Sequence, residues 1–369
     1  MRALVIGGTG PTGPFIVNGL LERGYDVSVL NRGVHDTPEI PAHVERIVGD
    51  PHFVETLSDA LSGRGFDLCI ATYGRIRHVA DVLRAHTDRL ITVGGSPGVR
   101  GSRQPHLLFP EGQQIPTPET AETVRSEEEF KFGYLARISE ERVFDHHESG
   151  HYAATHFRYP LIYGPRQLRP AEWGVIRRIL DGRKHIVLPD GGLTLLTRGY
   201  SANMAHAVLL AVDQPEASAG ELYNCGDVQQ LTLAQWVQVI AHSMNVELEV
   251  LSVPGVMAYG ARELMIARKT SHHQLFDLHK LRHQLGYTDQ TPVVEALTNT
   301  VQFYVDNPPN EEPEAKARRE RQYLTEDAMA NIVRQANEAL AAVEFEDPVY
   351  RHPYAHPKQP GSGKDEYGR

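Results

Sequence analysis

The sequence predicts an α/β fold with a doubly wound parallel sheet, and three observations support this prediction. A short apolar strand near the N-terminus leads through a glycine-rich turn into an apolar-faced segment. Strand and helix patterns then alternate to about residue 160, which is typical of parallel strands joined by right-handed crossovers. The chain has 369 residues, enough to bury a sizeable core and more than one average domain.

The glycine turn, residues 7–13, is the most specific local signal. It reads Gly-Gly-Thr-Gly-Pro-Thr-Gly, follows the apolar strand 3–6 and precedes the apolar-faced segment 15–21. Glycines let the backbone approach phosphates closely, while free N–H groups and the positive end of the helix dipole face their charge. This strand, turn and helix therefore predict a pyrophosphate-binding site of the Rossmann type. The residues assigned to it are Gly7, Thr9, Gly10, Pro11, Thr12 and Gly13.

The second predicted strand, 26–30, indicates which dinucleotide is bound. It ends in Asn31 and Arg32 with no carboxylate at its tip. A carboxylate there accepts a hydrogen bond from the ribose 2′-OH of NAD, whereas an arginine accommodates the 2′-phosphate of NADP and can stack on the adenine. We therefore expect NADP as the cofactor, with NAD as the alternative. Asp50, after the third strand 44–48, is expected to accept from the adenine amino group.

The remaining pattern divides the chain into four regions. A dinucleotide-binding Rossmann domain is predicted at 1–160, a smaller, partly interleaved α/β substrate-binding region at 161–307, a helical extension at 308–345 and a mobile tail at 346–369. Further strands are predicted at 67–72 and 90–93, short strands and loops at 160–170, 189–196 and 222–226, and helices at 202–213, 233–244, 281–285 and 293–305.

The extension carries two contrasting patterns. Residues 310–321 are almost entirely charged, and we expect them to be solvated. From Met329 to Val343 apolar residues recur on one stripe, which predicts a helix that docks on the body of the protein or on a second subunit in a homodimer.

Composition excludes several classes of function. The chain has 37 basic and 47 acidic residues, a formal charge of −10, which argues against nucleic-acid and anionic-membrane partners. Cys69 and Cys225 are the two cysteines, so the sequence offers no disulfide framework, and its 19 histidines form no recognisable metal-binding set. Without a signal-peptide or membrane-span pattern, we expect a cytoplasmic protein with no metal.

Five motifs in order resemble the extended short-chain dehydrogenases/reductases of the NAD-dependent epimerase/dehydratase family. They are the glycine turn, Val93-Gly94-Gly95-Ser96, the RYPLIYGPRQ run at 158–167, LYNCG at 222–226, and the D-x-x-K and L-G-Y elements at 277–287. Together they cover residues 1 to about 307. The resemblance implies a Rossmann sheet, an NAD(P) cofactor and chemistry at a hydroxyl or carbonyl carbon of a small molecule.

The family's Tyr-x-x-x-Lys pair is altered in this chain. If Tyr134 is the proton-exchanging tyrosine, the lysine position holds Ile138. A register shifted by one places Gly133 and Arg137 at the two positions instead. Arg137 lies one turn beyond Tyr134 and Lys131 one turn before it, so either could supply the missing cation. The resemblance also implies that Ser96 donates a hydrogen bond to the substrate. The predicted catalytic set is therefore Ser96, Tyr134 and Arg137.

Substrate contacts are expected from Arg100, Tyr163 and Arg166. Arg100 stands where the family often has tyrosine, which would place a cation near an anionic or acyl-bearing ligand. Tyr163, Arg166 and Trp173 are expected at the cleft between the two main regions, although Tyr163 and Trp173 equally fit core aromatics.

Two functions remain at this stage. The first, which we favour, is an NAD(P)-dependent oxidoreductase or epimerase acting on a polar small molecule, with nucleotide sugars as the commonest substrates implied by the resemblance. The second is a catalytically degenerate NADP-binding protein with a regulatory, sensing or RNA-associated role. The altered Tyr/Lys pair favours the second, and the net acidity counts against RNA.

Overall fold

The computed structural model describes residues 1–34, 37–258, 264–265, 270–346, 352–354, 356–361 and 363–365. The chain forms two compact units, residues 1–330 and 331–369. None of the helices in the described ranges is both long enough and apolar enough to cross a membrane.

A seven-stranded parallel sheet forms the centre of the larger unit. In chain order, the strands of this sheet and of two smaller ones are β1 Arg2–Ile6, β2 Asp26–Asn31, β3 Glu45–Val48, β4 Leu68–Ala71, β5 Arg89–Gly95, β6 Ala153–Tyr159, β7 Leu161–Tyr163, β8 His185–Pro189, β9 Arg198–Tyr200, β10 Glu221–Asn224 and β11 Glu249–Val253. The order across the central sheet is β10-β6-β5-β4-β1-β2-β3. The chain thus winds outward from β1 in both directions, and ligands of such sheets bind where the order reverses, at the carboxyl ends of the strands.

Helices cover both faces of this sheet. In chain order, the helices within the described ranges are α1 Gly13–Glu22, α2 Val54–Leu61, α3 Ile76–Leu83, α4 Glu127–Glu148, α5 Ala171–Leu180, α6 Ser201–Asp213, α7 Pro215–Ser218, α8 Leu233–Ser243, α9 His279–Leu285, α10 Val293–Asp306 and α11 Pro313–Ala341. Leu20 of α1 and Val208 of α6 belong to the core on one face, and Leu57 of α2 and Leu83 of α3 to the core on the other. The predicted doubly wound α/β class is confirmed.

Two small parallel sheets lie outside the central one. β7 pairs with β9, and β8 pairs with β11. The sequence pattern did not predict β8 or β11. The segment 189–196, predicted as a short strand and loop, contains the last residue of β8 and then a short turn. In that turn Asp190, Gly191 and Gly192 all have positive φ.

The C-terminal helix begins earlier than its apolar stripe. α11 starts at Pro313 and includes most of the charged segment predicted to be solvated. That prediction fails for Arg319, which is largely buried and lies 3.2 Å from Asp181. Ile332, Leu340 and Val343 of the stripe are exposed. A homodimer formed through them stays a prediction.

Candidate functional site

The glycine turn connects β1 to α1 and is held by its own backbone. The amide of Gly10 donates to Gly7 O at 3.1 Å, and the amide of Gly13 donates to Gly10 O at 3.0 Å. A Cβ on Gly13 would lie 2.1 Å from Gly8 O, and one on Gly7, whose φ is +88°, would lie 2.4 Å from Tyr73 Cβ. Only glycine fits at Gly7 and Gly13, so the turn can wrap tightly at the start of α1.

A cleft of about 560 Å³ opens at this turn, and we call it the dinucleotide cleft. Its lining residues are Gly7, Thr9, Gly10, Pro11, Thr12, Asn31, Arg32, Val34, Thr37, Thr72, Tyr73, Tyr159, Pro160, Leu161, Ile162, Arg166, Gln167, Leu168 and Arg169. The structure therefore brings most of the predicted cofactor residues to one cavity. Gly13 and Asp50 are not among the described lining residues, although Gly13 belongs to the glycine turn itself. A glycine cradle beside an arginine-bearing strand end fits a dinucleotide.

Arg32 and Tyr73 meet at the β2 end of the cleft. The Arg32 guanidinium lies 5.7 Å from the centre of the Tyr73 ring, and the ring of His52 meets Tyr73 edge-on at 5.0 Å. Asn31 Oδ1 accepts from the Gly33 amide at 2.8 Å and so fixes the turn that carries Arg32. Tyr73 was missed by sequence reasoning. The available signal was its place two residues after β4, the strand next to β1.

The Asp50 carboxylate is hydrogen-bonded to a residue close to it in the chain, His52. Its Oδ1 accepts from the His52 amide at 3.0 Å and lies 2.7 Å from His52 Nδ1. These hydrogen bonds, the backbone one above all, lower the pKa of Asp50. The adenine contact predicted for Asp50 stays a prediction and competes with this local bonding.

Ser96 stands at the end of β5, in a separate niche of about 10 Å³ that we call the serine niche. The niche is lined by Ser96, Ser102, Gln113, Pro160, Thr197, Gln274 and Phe276. It has room for about one water-sized group, and its polar walls are uncharged. Pro160 lines both the niche and the dinucleotide cleft. Ser96 therefore lies beside the β6 end of the cleft.

α4 approaches the turn that follows Ser96 at a glycine. A Cβ on Gly133 would lie 2.4 Å from Pro97 O, so Gly133 sets how closely this helix packs on the end of β5. Tyr134 is the next residue. The Arg137 guanidinium lies 5.1 Å from the Tyr134 ring and donates to Glu141 at 3.0 Å. Lys131 is 72% exposed and pairs with Glu127.

Of the two candidate cations, the structure thus places Arg137 against the phenol. Neither Tyr134 nor Arg137 belongs to the described lining of the dinucleotide cleft.

A buried ion pair fastens α4 to the sheet. Arg158 on β6 donates to both carboxylate oxygens of Glu140, from Nε at 2.9 Å and from Nη2 at 2.6 Å. His156 lies beside them, and full burial lowers its pKa to about 4. Arg158 was recognised only as part of a motif, and Glu140 was not singled out. Their pairing fixes the helix that carries Tyr134 and Arg137.

Arg100 has its charge compensated by two carboxylates. Its Nε lies 2.6 Å from Glu129 and its Nη1 3.2 Å from Glu122. The Glu129 hydrogen bond in particular raises the pKa of Arg100. Because both partners lie more than 20 residues away, the sequence pattern gave no sign of this pairing. The substrate contact predicted for Arg100 stays a prediction.

Tyr163 is a core aromatic, the second of the two interpretations that the sequence left open. It is fully buried, and its ring lies 4.7 Å from that of Trp236 and 5.4 Å from that of Tyr200. Burial raises its pKa well above the usual value. Arg166, by contrast, does line the dinucleotide cleft, and its guanidinium contacts Glu39. No group of three or more His, Cys, Asp or Glu side chains in the described ranges is placed to hold a metal ion.

Comparison with known proteins supports the family resemblance. Residues 106–226, a third of the chain, match the model of the NAD dependent epimerase/dehydratase family. The chain is 21% identical over 320 residues to the chloroplast stem-loop binding protein of 41 kDa b of Arabidopsis thaliana, covering 81% of this chain and 78% of that protein. It is 26% identical over 270 residues to a 3-diazoavenalumate denitrifying reductase of a Streptomyces species, covering 66% and 82% respectively.

Solved structures share the fold. A UDP-glucose 4-epimerase from Thermotoga maritima, determined with UDP-glucose, is 18% identical with a TM-score of 0.67, covering 84% of this chain and 100% of that one. The family match over residues 106–226, the strand order and the glycine turn agree with the resemblance to the extended short-chain dehydrogenases/reductases of the NAD-dependent epimerase/dehydratase family.

Proposed function

We propose that this protein is an NADP(H)-dependent oxidoreductase acting on a hydroxyl or carbonyl carbon of a polar small molecule. One observation carries the proposal: a single cleft of about 560 Å³ joins the glycine turn, Arg32 at the end of β2, and the wall that follows β6. Arg32 supports NADP over NAD because a guanidinium pairs with a 2′-phosphate. The similarity to a reductase favours hydride delivery to the substrate.

The proposed catalytic roles are those that the family resemblance implies for three side chains. When bound, the nicotinamide supplies or accepts the hydride. The Tyr134 hydroxyl gives a proton to the substrate oxygen or takes one from it, and Arg137 against its ring stabilises the phenolate. Ser96 donates a hydrogen bond to the same oxygen from the serine niche. Glu140 and Arg158 act through α4 as positioning residues.

We propose a nucleotide sugar as the preferred substrate class. The similarity to an epimerase determined with UDP-glucose supports this choice. The serine niche constrains the reacting end of any substrate. Its hydroxyl and amide groups suit a neutral oxygen, and a volume of about 10 Å³ admits one small group. A charged group at the reacting carbon would find no counter-charge among the described walls of the niche.

The first experiment is a titration of the purified protein with NADPH and NADH, followed by nicotinamide fluorescence. Ketones, aldehydes and nucleotide sugars are then added to the loaded protein while the absorbance of the reduced nicotinamide is followed. A decrease with one substrate class establishes hydride transfer. Tyr134→Phe should abolish that turnover with NADPH affinity nearly unchanged, whereas Tyr354→Phe, in an exposed stretch, should behave as wild type. Full turnover by Tyr134→Phe would move the acid/base role to another residue.

A second candidate function is binding without turnover, in a regulatory or RNA-associated role. Two observations favour it: the relative that covers 81% of this chain is a stem-loop binding protein, and Ile138 occupies the lysine position. The formal charge of −10 weakens it. A gel-shift titration with a stem-loop RNA and a duplex of the same composition separates the two functions. Retardation of the stem-loop alone, with no turnover of any tested substrate, would favour the binding role.

A further inference from the structure

The dinucleotide cleft has a basic lining in a protein whose formal charge is −10. Its described lining residues include three arginines, Arg32, Arg166 and Arg169, and no aspartate or glutamate. A cleft lined by one sign of charge concentrates the electrostatic field and attracts ions of the opposite sign. The cleft is therefore suited to ligands that carry several negative charges.

The three arginines differ in the groups that already face them. The Arg32 guanidinium lies 5.7 Å from the centre of the Tyr73 ring, at the β2 end of the cleft. Arg166 contacts Glu39. Arg169 is exposed and, within the part of the chain that the structure describes, has no hydrogen bond or ion pair with another residue. Its guanidinium therefore remains available to an anion.

The backbone that carries Arg169 is fixed on both sides of it. Two residues earlier, the Gln167 amide donates to the hydroxyl of Tyr304 on α10 at 2.9 Å, and that hydroxyl donates to Gly164 O at 3.1 Å. Directly after Arg169, the ring of Pro170 restricts the backbone where α5 begins. Binding of an anion would therefore order one side chain rather than a whole loop, which keeps its entropic cost small.

The phosphates of the proposed cofactor have other binding groups in the cleft. The pyrophosphate is assigned to the glycine turn at the start of α1, and the 2′-phosphate to Arg32. Arg169 belongs to a different wall, residues 159–169, which follows β6. Pro160 of the same wall also lines the serine niche. This wall therefore carries both the edge of the niche and an arginine that the cofactor does not require.

We propose that Arg169 binds a phosphate group of the substrate. The proposal rests on the proposed function, because it takes the glycine turn and Arg32 as the binding groups for NADP(H). A planar guanidinium can give a phosphate two parallel N–H donors, so it selects phosphate by geometry as well as by charge. With the uncharged serine niche at the reacting carbon, the substrate class is a molecule with a neutral reacting end and a phosphate or diphosphate elsewhere. Nucleotide sugars belong to this class.

The experiment is a calorimetric titration of NADPH-saturated protein with inorganic pyrophosphate, during which nicotinamide fluorescence confirms that NADPH stays bound. The bound cofactor occupies the glycine turn, so pyrophosphate must use other groups of the cleft. Arg169→Met should weaken pyrophosphate binding by about tenfold. Arg169→Lys should weaken it less, because lysine keeps the charge and loses only the paired donors. Arg84→Met is the matched control and should change nothing, since Arg84 is an exposed arginine after α3, outside the described lining of the cleft.

The affinity of the same variants for NADPH separates the two sources from which a phosphate could come. Arg169→Met should leave NADPH affinity unchanged. A tenfold loss of NADPH affinity would place Arg169 on the cofactor and overturn its assignment to the substrate. Equal pyrophosphate affinities for wild type and Arg169→Met, or no pyrophosphate binding by the loaded wild type, would overturn the phosphate site and leave the proposed cofactor intact.

Failure of the proposed function gives a different result. A wild-type protein that binds no nicotinamide dinucleotide would overturn the proposed function, and the pyrophosphate titration would then be made on unloaded protein. An affinity that still fell in Arg169→Met would keep the phosphate site, and an unchanged affinity would overturn both.

Discussion

The attachment of α11 to α5 depends on a buried ion pair that one substitution can break. Arg178 Nη2 lies 2.7 Å from Glu326 Oε1, and Arg178 Nε lies 3.2 Å from Glu326 Oε2. The two side chains are 3% and 2% exposed. A second guanidinium, that of Arg183, lies 3.8 Å from Glu326 Oε2. Glu326 therefore lies near two guanidinium groups, and that of Arg183 also pairs with Asp327 at 2.6 Å.

Glu326→Gln removes the negative charge and keeps the shape of the side chain. It removes the carboxylate that accepts from Arg178 Nε and Nη2. Breaking a buried pair in this way costs about 3–5 kcal/mol. The amide oxygen of glutamine still accepts one hydrogen bond, so we expect a loss near the lower end, about 3 kcal/mol in the free energy of unfolding.

Equilibrium urea denaturation followed by circular dichroism measures this loss as a shift of midpoint at constant slope. Glu127→Gln is the control, because it removes the exposed pair with Lys131 and should cost less than about 1 kcal/mol. If Glu326→Gln were destabilised no more than Glu127→Gln, the buried pair would not hold α11 as argued.

Two further predictions concern the cofactor and pH. Arg32→Ser should weaken NADPH binding by about tenfold, near 1.4 kcal/mol, with NADH affinity unchanged in the same fluorescence titration; equal losses for both would limit Arg32 to stacking on the adenine. Burial raises the pKa of Asp227 to about 7, so folding favours its protonated form, and its contribution to stability is full below pH 4 and is lost as the pH rises through 7. Asp227→Asn should therefore flatten the fall in Tm between pH 4 and pH 8, and a slope equal to that of wild type would contradict this assignment.

Local chemistry determined much of what the sequence analysis predicted. The glycine turn was identifiable because the constraints on its glycines are local. Gly7 has a positive φ, and a side chain on Gly13 would collide with the backbone of Gly8. Arg32 was identifiable because the end of β2 lies at a fixed place relative to that turn. The doubly wound sheet followed from alternating elements, since parallel strands need crossovers.

Contacts between residues far apart in the sequence determined the features of the site that the sequence did not predict. Tyr73 meets Arg32 because β4 and β2 both flank β1, and Tyr163 turns into the core because its strand pairs with β9 opposite Tyr200. Arg100 pairs with Glu122 and Glu129, which lie more than 20 residues away along the chain.

By itself, the sequence determined the strand, glycine turn and helix at which we propose that a phosphate binds, because these three elements are local geometry. Only the tertiary structure decided which charges remain available at the site. A charge is compensated by whatever the fold brings within a few ångströms of it, and that neighbour can lie anywhere in the chain.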